Sequence, residues 1–283
     1  MHPVDTVRLE GLMSATAGSA AVQIGLIDGP VDASHTGFDS RRLSALGGPI
    51  GCKRPDSVAC QHGTFVAGIL HARRGGRAPA LCPESPLLVR AIFTEAERGG
   101  LPTCHPQELA AAITECVDAG VRLLNLSVGV LYAAPAGESA LRSALDHAAR
   151  HGALVVAASG NQGAIGGSAL ARHAAVIPVI AAGTNGRVAE MSNLGTSIGQ
   201  RGLAAPGEGI ESLSSSGGTR RSDGTSAAAP FVTGAAALLW SIFPRASAAL
   251  IRHAMTQASM RRRTSIVPPL LDAQRAWDWL KAA

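Results

Sequence analysis

Three short segments of the chain carry an acid, an imidazole and a hydroxyl that together could perform acyl transfer. In chain order they are IGLIDGPVDASH around Asp28, QHGTFVAGIL around His62 and GTSAAAPFVTGAAALL around Ser226. A serine hydroxyl is a weak nucleophile unless a base takes its proton and a buried acid orients that base. The three segments therefore predict Ser226 as nucleophile, His62 as base and Asp28 as the group that orients the base.

The acid has a rival close by in the sequence. Asp28 directly follows the apolar run 22–27, which is typical of a buried strand, whereas Asp32 lies in the loop that follows. We expect Asp28 to be buried beside His62, and Asp32 to cap the loop or face solvent. His35 and His71 head no Gly-flanked helix, so we assign them no catalytic role.

His62 and Ser226 each stand where an apolar helical run opens. Gly224 allows a sharp bend, and Thr225 is the expected N-cap. Ser226 would then lie where the free N–H groups of a first helical turn favour a developing oxyanion. A neutral imidazole is favoured at a helix N-terminus, so His62 is expected to remain a base at neutral pH.

The segment Ser-Gly-Asn-Gln-Gly at 159–163 adds an amide after the apolar strand 153–158. Asn161 could donate its side-chain N–H to an oxyanion, and deleting such a donor from a protease costs about 2.7–4 kcal/mol. The alternative is an ordinary turn residue beside glycine.

Strand and helix patterns alternate along the chain. Strands are expected at 22–27, 87–93, 121–126, 153–158 and 176–182, and helices at 62–72, 107–119, 139–150, from 225 past 240, 246–258 and 272–280. This alternation with continuously apolar strands predicts an α/β fold with a mostly parallel central sheet and helices on both faces. We expect a single domain over 1–283, with its core at about 20–258 and a basic link and C-terminal helix at 259–283.

Charge and composition restrict the partners. The net charge is +5, and the basic residues are nearly all arginine. They cluster at Arg73, Arg74 and Arg77, at Arg220 and Arg221, and at Arg261–Arg263. Since no aromatic residues are interleaved with these clusters, nucleic acid is not an expected partner. The clusters are interpreted as solvated surface, with attraction of acidic peptides or of membranes as the alternative.

The compartment follows from the termini and the cysteines. No apolar run of about 18 residues and no N-terminal secretory signal is present, so a membrane span is not expected and a cytoplasmic location is favoured. Of the five cysteines, Cys52 and Cys60 could close a small loop before His62. Reduced structural thiols are the favoured state and disulfides the alternative. The spacing matches no zinc site.

Together the four segments resemble those of the subtilisin-like serine proteases (subtilases), over about residues 20–258. The resemblance implies a three-layer subtilisin-like fold, a catalytic triad of Asp28, His62 and Ser226, and Asn161 as oxyanion donor. It also implies two substrate-binding stretches, one on each side of the cleft. These are the strand of Ser127, Val128 and Gly129 and the opposite wall of Ala157, Ala158 and Ser159.

Several positions depart from the family pattern. Phe65 stands where the family usually has a second histidine in the HGT motif, which should alter packing but not the chemistry. Gly37 and the loop Arg73–Arg77 replace the groups that complete a calcium site in secreted relatives, so no metal and no cofactor is expected. No long prodomain precedes Asp28, which argues against a secreted zymogen.

The stretch Asp28-Gly29-Pro30-Val31-Asp32 with His35 resembles the maturation proteases of cyanobactin-type pathways most. That resemblance implies a peptide or protein substrate, specifically a ribosomally made precursor peptide. Gln162 is neutral and 127–136 holds no acid, so a neutral or apolar residue is expected before the cut. The alternatives are a catalytically silent peptide-binding module and a transpeptidase or macrocyclase. The oligomeric state stays open.

Overall fold

The computed structural model describes residues 2–48, 50–95, 103–130, 135–257 and 265–283. The strands are β1 (Ile24–Asp28), β2 (Leu43–Ala45), β3 (Leu87–Ala91), β4 (Thr103–Cys104), β5 (Leu123–Leu126), β6 (Gly129–Val130), β7 (Leu154–Ala158), β8 (Val176–Ala182), β9 (Leu203–Pro206), β10 (Ile210–Leu213) and β11 (Thr219–Ser222). The helices are α1 (Pro3–Thr6), α2 (Glu10–Ala15), α3 (Val58–His71), α4 (Pro106–Asp118), α5 (Pro135–Arg150), α6 (Ala169–Arg172), α7 (Thr196–Arg201), α8 (Thr225–Ile242), α9 (Ala248–Gln257) and α10 (Ala273–Ala282).

A seven-stranded sheet runs through the described part of the chain in the order β2-β3-β1-β5-β7-β8-β9. Every neighbouring pair in it is parallel. Parallel strands buried on both faces must be continuously apolar, and β8 is buried at every position from Val176 to Ala182. The predicted α/β fold with a mostly parallel sheet is confirmed.

Helices cover both faces of this sheet, as predicted. Helices α3 and α8 pack on one face, with Phe65, Phe231 and Trp240 in the core there. Helices α4 and α5 pack on the other face, where Leu109 and Leu145 are fully or almost fully buried. The two helices α3 and α8 carry His62 and Ser226, so the sheet and one helical layer position the candidate site.

Helix α8 is the most apolar helix of the described residues. Helix α8 is long and apolar enough to cross a membrane by length and composition, but 83% of it is buried inside the protein. It is therefore a core helix of the fold. Gly152, just past the end of α5 at Arg150, has a φ of +70°, which is typical of the residue that follows a helix.

Both ends of the chain add to the main core. Helices α1 and α2 were not predicted from the sequence. With the turn between them they bring the fully buried Val7, Leu9 and Leu12 to the main cluster. Near the other end, the N–H of Leu271 donates to Ala204 of β9, and α10 follows. Residues 258–264, with the cluster Arg261–Arg263 and most of the predicted link Met260–Ser265, lie outside the described residues.

The expectation of reduced cysteines is wrong for one pair. Cys52 and Cys60 form a disulfide with a Cα–Cα separation of 5.9 Å. The other three cysteines are buried thiols, and burial raises the pKa of each to about 12. They are Cys82, Cys104 and Cys116.

Candidate active site

Asp28 and His62 are joined directly. Asp28 ends β1 and is fully buried, and its Oδ1 accepts a hydrogen bond from His62 Nδ1 at 2.6 Å. The same oxygen accepts the N–H of Gly29 at 2.5 Å. Because the carboxylate holds the proton on Nδ1, the Nε2 of neutral His62 is the nitrogen left free to accept a proton.

Two glycines allow β1 and α3 to approach this closely. A Cβ on Gly29 would lie 2.0 Å from the carbonyl oxygen of Ala59, and a Cβ on Gly63 would lie 2.4 Å from that of Gly29. Any side chain at either position would push the strand end away from the helix. The glycines beside Asp28 and His62 therefore set the distance between the acid and the imidazole.

The predicted position of His62 at a helix N-terminus is wrong. Helix α3 begins at Val58, because Ser57 caps it by accepting the N–H of Cys60, so His62 lies in the second turn. The free N–H groups of a first turn thus do not act on the imidazole. Burial by itself lowers the pKa of His62, but the charge of Asp28 and its hydrogen bond outweigh burial and raise that pKa above 6.5.

Ser226 lies in the first turn of α8, as predicted, although the cap differs. Gly224, with φ +127°, occupies the N-cap position, and Thr225 is the first helical residue rather than the cap. The N–H of Ser226 therefore has no intrahelical acceptor. An N–H group at this place, next to the Ser226 hydroxyl, can donate to an oxyanion.

Asn161 is held so that its amide N–H₂ is available. Its Oδ1 accepts both the N–H and the hydroxyl of Thr225, each at 2.9 Å. This pattern fixes which end of the amide is oxygen, and Nδ2 has no hydrogen-bond acceptor within the described ranges. A Cβ on Gly224 would lie 2.9 Å from Nδ2. Asn161 and the first turn of α8 thus form one donor site beside Ser226.

The loop that carries Asn161 is braced by a residue that sequence reasoning missed. Asn193 Oδ1 accepts the N–H groups of Gln162 and Ala164, and its Nδ2 donates to Gln162 Oε1 at 2.6 Å. The N–H of Asn193 donates in turn to Gly160. The separation of 32 positions from Asn161 along the chain left no local signal for this bracing.

A second missed residue lies inside β5. Asn125 is fully buried, accepts the hydroxyl of Thr233 at 2.7 Å and donates to Ser127 Oγ at 2.9 Å. Ser127 Oγ donates to the carbonyl of Ser226 at 3.3 Å. That carbonyl needs a partner because Pro230, four residues on, has no N–H to donate. A lone polar residue in an apolar strand was the available signal.

The predicted substrate-binding stretches lie at the ends of two neighbouring strands. Ser127 and Val128 follow β5 and are nearly buried, while Gly129 begins β6, which pairs in parallel with β4. On the other side, Ala157 and Ala158 end β7, and their side chains pack into the two core clusters. Ala157 and Ala158 can therefore offer a peptide mainly backbone groups, and Ser159 offers a buried hydroxyl that has no partner in the described structure.

Not every predicted pair of groups is in contact. Helices α3 and α8 pack together, yet no hydrogen bond joins His62 to Ser226 in this part of the structure. Catalytic hydrogen bonds are often long in a site without substrate and shorten when substrate binds. The structure thus brings together Asp28 with His62 and Asn161 with the turn of Ser226.

The residues assigned no catalytic role have structural contacts. Asp32 Oδ1 accepts the N–H and hydroxyl of Ser34, as expected of a loop cap. His35 accepts the N–H of Gly37 and contacts the carbonyl of Gly218 at 3.0 Å. His71 is buried at the end of α3, and burial lowers its pKa to about 4.

The positions compared with a calcium site hold guanidinium groups. Arg73 donates to the carbonyl of Phe38 at 3.0 Å, next to Gly37. Arg74 donates to the carbonyls of Thr16 and Leu81, both at 2.9 Å. Among the described residues, the cluster of metal-binding side chains is Cys52, Cys60 and Glu95, whose two sulfurs form the disulfide. The absence of a metal site remains a prediction.

Comparison with known proteins agrees with this arrangement. A model of the subtilase family, peptidase S8, matches residues 19–274. Subtilisin DY of Bacillus licheniformis is 29% identical over 262 residues, which cover 90% of this chain and 88% of subtilisin DY. The chain belongs to the subtilase family and is a subtilisin-like serine endopeptidase.

Solved structures give a finer likeness. A serine-to-alanine mutant of the protease domain of PatA superposes with a TM-score of 0.82 at 30% identity, covering 94% of this chain and 97% of that one. The prenylagaramide maturation protease PagA superposes with a TM-score of 0.79 at 26% identity, covering 95% and 98%. The predicted resemblance to cyanobactin-type maturation proteases is confirmed.

Proposed function

We propose that this endopeptidase cleaves peptides through Ser226, His62 and Asp28, with Asn161 and the N–H of Ser226 as oxyanion donors. The observation that carries the proposal is the 2.6 Å bond from His62 Nδ1 to the buried Asp28. It fixes the tautomer in which Nε2 is a base. The anchored amide of Asn161 supplies the second requirement, a donor positioned before charge develops.

The chemistry then follows in two balanced steps. The Ser226 oxygen attacks the substrate carbonyl while His62 takes the hydroxyl proton, and the resulting oxyanion accepts hydrogen bonds from Asn161 Nδ2 and the N–H of Ser226. His62 gives its proton to the leaving amine, and an acyl-enzyme forms. Water then attacks this ester, His62 again takes and returns the proton, and Ser226 and the free acid are released.

Substrate is proposed to bind as an extended strand between two walls. Ser127, Val128 and Gly129 would pair with the peptide backbone on one side. Because β6 pairs with β4 at Gly129, we propose that this short two-residue pair separates when a peptide enters. Gln162, held by Asn193, leaves the rim beside Asn161 neutral, which favours a neutral or apolar residue before the cut.

The natural substrate is proposed to be a ribosomally made precursor peptide. The support is the likeness to PagA, which is a prenylagaramide maturation protease, together with the stretch Asp28–Asp32. The test digests a peptide library and the precursor peptides encoded next to the gene, and records product masses for wild type and Ser226→Ala. Linear products formed by wild type alone support the proposal. Products lighter by one water would indicate macrocyclisation, and binding without turnover would indicate a silent module.

A cytoplasmic location is also proposed, and the Cys52–Cys60 disulfide bears directly on it. Disulfides are rare where glutathione keeps thiols reduced. Rapid alkylation of cells followed by mass measurement gives the redox state of this pair. A reduced pair in cells supports a cytoplasmic enzyme, whereas a fully oxidised pair argues for an exported one.

A further inference from the structure

A cationic residue of the β10–β11 hairpin lies beside the candidate catalytic histidine. In this antiparallel pair Glu211 lies opposite Arg221, and Ser212 lies opposite Arg220. Residues directly opposite each other share one face of a two-stranded ribbon. Ser212 is fully buried and donates to the carbonyl of Phe65 in α3. Arg220 therefore shares the face that packs on α3, whereas Arg221 is on the opposite face.

The contacts of Arg220 agree with this placement. Its Nη1 donates to Oε1 of Gln61, the residue before His62, at 2.5 Å. Its positive charge also acts on His62, since it lowers the pKa of that imidazole in opposition to Asp28. The Arg220 guanidinium is thus half-buried against the turn of α3 that carries the base.

No carboxylate balances Arg220 among the described residues. Glu211 pairs with Arg77 and Arg221 on the outer face and accepts the hydroxyl of Thr219. Asp223, which follows the hairpin in the sequence, accepts the N–H of Gly209. A half-buried cation without an acidic partner is unusual, because charges removed from water are normally paired. Within the described ranges, the polar partner of its guanidinium is the neutral amide of Gln61.

The position of Arg220 indicates which part of a substrate would meet it. Asn161 and Ser127 both contact the first turn of α8, through Thr225 and Ser226, and they would serve the oxyanion and the acyl segment. His62 must deliver its proton to the leaving amine, so the residues after the cut pass along the imidazole. Arg220 adjoins the imidazole, and it would face this leaving segment.

We propose that Arg220 binds a carboxylate in the first few residues after the scissile bond, so that the enzyme favours peptides with Asp or Glu there. This rests on the proposed function and makes Arg220 a specificity-determining residue. The hydrogen bond to Gln61 uses Nη1 of Arg220. Other N–H groups of the guanidinium can form charge-assisted hydrogen bonds with the substrate carboxylate. The substrate would thereby supply a carboxylate that the described part of the chain does not offer to Arg220.

The test uses pairs of quenched fluorescent peptides built on a sequence that the enzyme cleaves in a library. The two members differ only in Asp against Asn at one position after the cut, and each position is tried in turn. The measured quantity is the ratio of kcat/KM for the two members, because a ratio cancels any general effect of a variant. We expect a ratio of about 10 for wild type at one position, as for a hydrogen bond to a charged group.

Variants assign the preference to one residue. Arg220→Gln should bring the ratio to about 1, and Arg220→Lys should keep part of it because the charge remains. The matched control is Arg221→Gln, which removes the same charge from the outer face and should keep the wild-type ratio. If Arg220→Gln does not fold, the proposal is tested by the Asp-to-Asn ratio of kcat/KM in wild type and by the partial loss of that ratio in Arg220→Lys.

A wild-type ratio of 1 at every position would overturn the proposal, as would an equal loss in Arg220→Gln and Arg221→Gln. An acid preference that lies before the cut would contradict the assignment to the leaving segment. These failures differ from failure of the proposed function, in which folded wild type cleaves none of the peptides and does not react with a fluorophosphonate. Equal cleavage of both members of every pair would refute only the role of Arg220 and would leave the proposed function standing.

Discussion

Replacing Thr225 by valine would remove a hydroxyl that orients Asn161 while keeping the shape of a fully buried side chain. The hydroxyl donates to Asn161 Oδ1 at 2.9 Å and accepts the N–H of Gly160 at 3.2 Å. The N–H of Thr225 still holds Oδ1 in the variant. Asn161 therefore keeps one of its two anchors, and its amide becomes less strictly oriented.

The magnitude follows from this partial loss. One neutral hydrogen bond has a net value of about 0.5–1.5 kcal/mol, so we expect kcat to fall by about 2- to 12-fold, with little change in KM. Deleting the donor itself, in Asn161→Ala, should cost about 100- to 1000-fold in kcat. The free energy of unfolding should also fall by about 1–3 kcal/mol, because the Gly160 N–H loses its acceptor.

The assay is steady-state cleavage of one fluorescent peptide by four proteins: wild type, Thr225→Val, Asn161→Ala and the double variant. If Thr225 acts through Asn161, the valine substitution should have almost no further effect once Asn161 is alanine. Thr225→Ser keeps the hydroxyl and should recover most of the activity. An unchanged kcat in Thr225→Val, or an equal fold-loss with and without Asn161, would refute the reasoning.

Four further outcomes are expected. The value of kcat/KM should rise with pH through an apparent pKa above 6.5, because Asp28 raises the pKa of His62. The variant Asp28→Asn should lower kcat by about 10⁴-fold and move this transition to lower pH. Burial lowers the pKa of His71 from 6.5 to about 4. Up to about 3 kcal/mol of the free energy of unfolding should therefore be lost as the pH falls from 6.5 to 4. In His71→Gln the free energy of unfolding should change less with pH over this range. Iodoacetamide should label none of the three buried thiols until the protein is unfolded, as followed by mass spectrometry. A chelator should leave the midpoint of thermal unfolding unchanged, since Arg73 and Arg74, in the loop compared with a calcium site, place guanidinium groups there that donate to the carbonyls of Phe38 and Thr16.

The sequence was sufficient for the elements that build the sheet, because their signals are local. The run 176–182 is apolar without interruption and forms β8 with the predicted bounds. Helix α3 was predicted too short at its start, since Ser57 caps it five residues before His62 and the stretch Gln61-His62-Gly63-Thr64 interrupts the apolar pattern. The β10–β11 hairpin was missed because Thr219–Ser222 has the composition of a charged loop. Its strands form through pairing with each other and packing on α3.

In the candidate site too, the catalytic side chains could be predicted from local sequence, whereas the residues that orient them could not. Asp28, His62, Asn161 and Ser226 each stand at the end of a strand or near the start of a helix, and topology brings such ends together at one edge of a parallel sheet. The groups that orient them come from elsewhere in the chain. Asn193 braces the Asn161 loop by pairing that no pattern in either segment reveals. The direction of the His62 pKa depended on a contact with Asp28 and could not be obtained from helix position alone.

The most direct test of the central claim is covalent labelling with a fluorophosphonate, read by intact mass and peptide mapping. Such probes react only with a serine that a neighbouring base activates. We expect one adduct per wild-type chain, located at Ser226, a much slower reaction in His62→Ala, and no adduct in Ser226→Ala. A folded wild-type protein that stays unlabelled, or an adduct on any other serine, would contradict it.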